Sequence, residues 1–233
     1  MAAPAEDPHV SSSGPRFGGD EVLRRCLSGA AIASVTEIEE ANAKLFQDIR
    51  RTGVADWVES VRRHHDGTFQ HCMLVNGLVA AFVDRLGFSR RDVARAMLAA
   101  TLHDIGKAKI PVEILDSPLK LTPEEFAIVQ RHPTAAIEML AEGDPLDPAV
   151  LDAIEHHHEF LDGSGYPHGL SGPQVLDLTR LLTISDIFAA LSERRSYKPP
   201  MAPAAAFRVL EDMGPKLDQA LVKAFRPISE MLA

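Results

Sequence analysis

His156-His157-His158-Glu159-Phe160-Leu161-Asp162-Gly163-Ser164-Gly165-Tyr166-Pro167 is the stretch on which the reading of this chain turns. Three successive imidazoles, an acid and a rigid Gly/Pro turn are poor material for a hydrophobic core. Neighbouring side chains on a helix point about 100° apart, so two adjacent imidazoles can face two different metals. The run after them cannot continue a helix. Gly163 and Gly165 permit positive φ, and Pro167 fixes its own φ while biasing Tyr166 toward extended backbone. The stretch therefore predicts a helix end feeding an ordered loop beside a polar site.

Outward from this stretch the pattern is helical. A helix is expected from about Phe69 to Leu86, opened by Asp66-Gly67-Thr68, with His71, Val75, Leu78, Val79 and Phe82 at helical spacing. A second runs from Arg90 to about Gly106. Thr122-Pro123-Glu124-Glu125 combines an N-cap Thr, a Pro at the first helical position and acids in the first turn. That helix reaches His132-Pro133, where another can begin. Further helices are expected from Asp147-Pro148 to His158, Leu176 to about Arg194, Ala202 to Met213, and Gln219 to Phe225. No strand-like alternation is sustained and no internal repeat is present, so the fold class is all-α, a helical bundle.

Composition bounds the function. The 233 residues carry a net charge of −9, with 45% hydrophobic and 24% charged residues. That acidity argues against a partner such as a nucleic-acid polymer, while leaving room for a local basic pocket. No apolar run is long enough to span a bilayer, and the N-terminus lacks a signal-peptide core. Cys26 and Cys72 fit a reducing compartment better than a disulfide scaffold, so the cytoplasm is expected. Residues 1–19, rich in Ala, Pro, Ser and Gly, read as a disordered tail. Residues 20–55 read as an N-terminal helical segment, either an extra layer or a homodimer contact. Residues 56–233 form the main domain.

Nine of the ten histidines follow residue 60. His71, His103, Asp104, His132, His157, His158 and Asp186 supply five imidazoles and two carboxylates from separate helices. This mixed N/O set suits two divalent transition ions such as Fe or Mn better than Cys-rich structural zinc, and it is too large for one tetrahedral site. In His103-Asp104 the side chains diverge, so the imidazole can serve one metal while the carboxylate bridges to the other. Lys107 returns to the same helix face, where its ammonium can hold a phosphate oxygen or neutralise charge in a transition state.

Together, His103-Asp104-Ile105-Gly106-Lys107 and the stretch from His157 to Pro167 resemble the HD-GYP family of bacterial phosphodiesterases, a subgroup of the HD metallohydrolases. The resemblance covers roughly Thr68 to Lys198. It includes Leu121-Thr122-Pro123-Glu124-Glu125, Arg131-His132-Pro133 and the run from Ile184 to Leu191. It implies an HD-type bundle whose core holds the metals on the seven residues above, and which hydrolyses cyclic di-GMP to pGpG and on to GMP. It makes Asp104 and Lys107 catalytic, and makes Arg195 and Lys198, in Arg195-Ser196-Tyr197-Lys198, phosphate contacts alongside Lys107. Members with three metals carry a glutamate four residues before the first ligand histidine; Gly67 stands there, so two metals are expected. Gly163, Gly165 and Pro167 would shape the loop. Asp162 would orient a ligand histidine or cap a turn, and Glu159 would stand behind the ligands. His156 is not expected to bind the metals. The family's loop also binds domains that synthesise the same nucleotide, which makes Tyr166 a candidate partner contact. The rival readings are a partner-binding module without turnover and a hydrolase of another cyclic dinucleotide.

Overall fold

Among the described residues, five helices of this chain start where a side chain takes up an otherwise unpaired amide. The computed structural model of the protein describes residues 20–27, 33–61, 67–193 and 199–233. Among these, α1 is Asp20–Leu27, α2 Val35–Thr52, α3 Val54–Val61, α4 Gly67–Leu86 and α5 Arg90–Leu102. A 3-10 turn, Ile105–Lys109, leads to α6 (Val112–Leu115), α7 (Pro123–Val129), α8 (His132–Leu140) and α9 (Pro148–His156). α10 (Asp177–Ser192), α11 (Pro203–Asp212) and α12 (Gln219–Met231) follow. The described residues contain no strand, only an isolated antiparallel bridge between Asp162 and Ser171. Ser34 and Thr122 form capping boxes with Glu37 and Glu125, and Asp147 and Asp218 accept first-turn amides of α9 and α12.

Helix α4 is the axis of the bundle. From Phe69 to Val83 it is buried almost all round, and α2, α3, α5, α10 and α12 pack on it. Gly77 lets the Trp57 ring lie directly on the α4 backbone; a Cβ there would stand 2.2 Å from the indole. The indole N–H donates to the Met73 carbonyl at 3.1 Å, so the ring is buried without an orphaned donor. Phe82, Phe188 and Phe225 join α4, α10 and α12, with both ring pairs at 5.1 Å. α2 adds Ile38, Leu45 and Ile49 to the same core.

Four helix ends differ from the sequence expectation. α7 stops at Val129, short of His132. α5 stops at Leu102 rather than near Gly106, and Asp104 leaves the helix at φ −105°, ψ 4°. The following 3-10 turn presses Gly106 onto α8, where a Cβ would lie 1.9 Å from the His132 carbonyl oxygen. α9 ends at His156, so His157 and His158 lie in the turn beyond it. α12 runs through Pro227 to Met231. Proline removes one ladder bond there, but Val222, Phe225 and Ile228 form one buried face across it, and their burial outweighs the loss.

The expected tail at 1–19, the turn residue Asp66, and Arg195 and Lys198 lie outside the described residues. Among the described residues no helix is long and apolar enough to cross a membrane.

Candidate metal centre

The bundle brings the seven predicted ligands to one place, using two kinds of position. His71 and Asp186 project from within α4 and α10. His103, His132, His157 and His158 sit at helix termini, where a backbone carbonyl is available as a partner. His103 Nδ1 is 2.8 Å from the Ala100 carbonyl, His132 Nδ1 2.8 Å from Val129 and His157 Nδ1 2.7 Å from Ile154. A carbonyl only accepts, so each Nδ1 carries the proton and each Nε2 of the neutral ring offers a lone pair to the centre.

Asp104 is the hub. Its Oδ2 lies 3.5 Å from His71 Nε2 and 3.4 Å from His103 Nε2, while Oδ1 lies 3.2 Å from His132 Nε2 and 4.0 Å from His157 Nε2. Asp186 spans in parallel, with Oδ1 at 2.9 Å from His71 Nε2 and Oδ2 at 3.7 Å from His158 Nδ1. Donor atoms within 4.8 Å of one another form two groups: His71, His103 and Asp104; and His132, His157 and His158. Six of the seven are under 9% exposed, Asp186 among them at 6%; His158 is the most open.

This donor set fits divalent ions. His132 Nε2 and His157 Nε2 face each other at 3.3 Å, an arrangement that a metal ion or a proton between them satisfies. His103 Nε2 and Asp104 Oδ1 are buried with no hydrogen-bond partner. Imidazole and carboxylate donors in this mixture suit Fe, Mn, Zn and similar metals.

Electrostatics divide the centre. Burial works against a charge on His71, but its hydrogen bonds to Asp186 and Glu193 prevail and push it up to about 10. Burial pushes His158 down to about 3, and burial with the neighbouring imidazoles holds His157 well below the usual histidine value. Burial would raise Asp104, yet the charge of Lys107 and the imidazoles facing it, His103 first, keep it well below the carboxylate range. Lys107 Nζ lies 2.5 Å from Asp104 Oδ2, reaching it from a 3-10 turn rather than from an α-helix.

Glu193 was not among the expected residues. It is buried, and its Oε2 lies 3.1 Å from His71 Nδ1, in the orienting position that backbone carbonyls hold for His103, His132 and His157. The signal was its spacing: Glu193 follows Asp186 by seven residues, two helical turns.

The loop residues take other roles. Buried Glu159 does not stand behind a ligand; its Oε1 accepts the amides of His168 (2.6 Å) and Gly169 (3.0 Å), and Oε2 that of Leu170 (3.0 Å). Asp162 caps a turn, accepting from the Ser164 amide and hydroxyl at 3.0 and 2.6 Å. Gly163 uses positive φ (79°), whereas Gly165 serves close approach, because a Cβ would lie 2.5 Å from the His158 carbonyl oxygen. Pro167 follows a cis peptide bond, and the Tyr166 ring lies over His158 with centroids 4.7 Å apart.

The HD domain family matches residues 42–221. A relative from Pseudomonas aeruginosa, named cyclic di-GMP phosphodiesterase PA4108, is 37% identical over 97% of this chain and 59% of its own length. Another, from Vibrio cholerae, named 3'3'-cGAMP-specific phosphodiesterase 1, is 36% identical over 58% of this chain and 31% of its own length. The chain thus spans less than two thirds of either relative. The solved structure of Bd1817, a HDG"Y"P protein from Bdellovibrio bacteriovorus, superposes with a TM-score of 0.72 at 18% identity, over 94% of this chain and 74% of that one. That likeness bears on the fold. With the family match covering more than half of its residues, this chain belongs to the HD domain family.

Proposed function

We propose that this chain is a metal-dependent phosphodiesterase that opens cyclic di-GMP to linear pGpG, with GMP as a further product. The observation that carries the reading is the pair of three-donor groups, one containing Asp104 and the other meeting the second oxygen of that carboxylate through His132. Two divalent ions, Fe or Mn, would be held by His71, His103, Asp104 and Asp186 on one side and by His132, His157, His158 and Asp104 on the other. Bound there, such ions supply Lewis acidity and a nucleophilic water at neutral pH.

The chain's own groups do the positioning. Lys107 spends one of its three N–H donors on Asp104 and keeps two for a non-bridging phosphate oxygen. The carbonyl-anchored imidazoles hold their Nε2 atoms fixed, so little reorganisation is needed when charge develops at phosphorus. Tyr166, raised by burial above the usual phenol value, stays neutral and covers His158 from one side. Arg195 and Lys198 are proposed as further phosphate contacts, and the loop around Tyr166 as a contact for a domain that makes the same nucleotide. The acidic composition and the two cysteines favour a cytoplasmic setting.

A second substrate, 3'3'-cGAMP, is supported by the name of the Vibrio relative. Protein loaded anaerobically with Fe(II) or Mn(II) and given each dinucleotide tests the proposal by chromatography of the products. Formation of pGpG or GMP from cyclic di-GMP, abolished by chelator, is expected. Turnover confined to 3'3'-cGAMP would select the second substrate. Intact dinucleotides beside fully loaded protein would leave a binding module.

A further inference from the structure

We propose that Glu155, His156 and His168 form a second divalent-metal site, of zinc-type chemistry, that fastens the loop after α9 to the end of that helix. None of the three belongs to the seven-residue centre. The donor atoms of all three lie within 4.8 Å of one another. His168 Nε2 is 3.0 Å from Glu155 Oε1, His156 Nε2 is 3.9 Å from Glu155 Oε2, and the two ring centroids are 5.3 Å apart. One carboxylate thus stands between two imidazole nitrogens that turn toward it from different segments.

Both histidines are positioned by groups outside the trio. His156 Nδ1 lies 2.9 Å from Asp152 Oδ1, and the other oxygen of Asp152 accepts the Thr179 hydroxyl at 2.8 Å. A carboxylate accepts, so the proton of a neutral His156 ring sits on Nδ1 and the Nε2 lone pair points outward. That is the carboxylate–histidine arrangement that orients ligands in metal sites. His168 is placed through its own backbone, whose amide donates to buried Glu159. Two imidazoles and one carboxylate leave an open position for water, a set that zinc takes readily. His168 is 48% exposed at its side chain, which gives an ion a path in.

The placement gives the site a consequence. The loop between Glu159 and Leu170 carries Tyr166, whose ring lies over His158. An ion shared by α9 and His168 would hold this loop, and with it Tyr166, against the core centre.

Zinc binding by the full chain tests this. Chelator-stripped wild type, His168→Ala and Glu155→Gln are dialysed to equilibrium against the same free Zn(II), and zinc per chain is measured. Each variant is expected to hold one equivalent fewer than wild type. Zinc is also expected to slow amide exchange of the segment 163–170 in wild type alone. Equal zinc content in all three proteins, with matching circular dichroism, would overturn the proposal. The readout is a difference between variants, so it stands whatever number of ions the core centre takes and whether or not a cyclic dinucleotide is hydrolysed.

Discussion

The two halves of the core centre are built from similar donors but are charged differently. The half around His71 and His103 faces two carboxylates, and in the metal-free protein His71 binds a proton up to about pH 10. In the half around His132, His157 and His158, burial keeps His157 and His158 neutral, with His158 down at about 3. In the first half an arriving ion replaces a proton; in the second it relieves lone pairs that already face each other. Both halves share Asp104, so the difference lies in what surrounds the bridge.

Removing the bridge should have the largest effect. Asp104→Asn is expected to lower turnover by about 10³-fold or more, the loss of several kcal/mol of Lewis-acid stabilisation, and to reduce metal content in both halves. Rate assays beside metal analysis check this; loss of ions from one half alone would show that Asp104 does not bridge.

The halves should separate on changing Glu193. Glu193→Gln loosens the orientation of His71 only, and is expected to weaken metal affinity there by about 10–100-fold while leaving the His132 half unchanged. Two-phase metal titration reads this directly, and a uniform weakening of both phases would contradict the division.

Gly106→Ala tests how the halves are pressed together. A methyl 1.9 Å from the His132 carbonyl oxygen must move α8 away from the 3-10 turn, at a cost of about 1–3 kcal/mol in chemical denaturation. Unchanged stability would mean that the close approach is dispensable.

The smallest effect is on pH. His71 is raised, so its contribution to stability is full below the ordinary histidine value of about 6.5 and is lost as pH climbs toward 10. His157 and His158 are lowered, so theirs is full above about 6.5 and is lost as pH falls, that of His158 toward 3. Metal-free protein should therefore melt highest near pH 6.5, with Tm falling on both sides. A Tm that rises steadily from pH 6 to 9 would remove the protonated His71 from the picture.

The same contrast shows what sequence reading can reach. Capped, periodic helices such as α7 and α10 were legible because their signals are local: Thr122 with Glu125, or apolar residues at helical spacing. The side chains that meet at the candidate centre were legible because five imidazoles and two carboxylates on apolar-faced helices have few other uses. Exact helix ends were not, because they answer to distant contacts: Gly106 tightens its turn against α8, and the buried face around Phe225 carries α12 through Pro227. Glu159 was placed beside the ligands because it follows His158, yet its partners are the amides nine to eleven residues later. Glu193 was missed because its partner His71 is 122 residues away in sequence.

The most direct test of the shared bridge is the electron paramagnetic resonance spectrum of the full chain saturated with Mn(II). Two ions held on opposite oxygens of Asp104 predict a spin-coupled pair that collapses to isolated Mn(II) in Asp104→Asn. Uncoupled Mn(II) signals in the wild type, at saturating metal, would contradict the account.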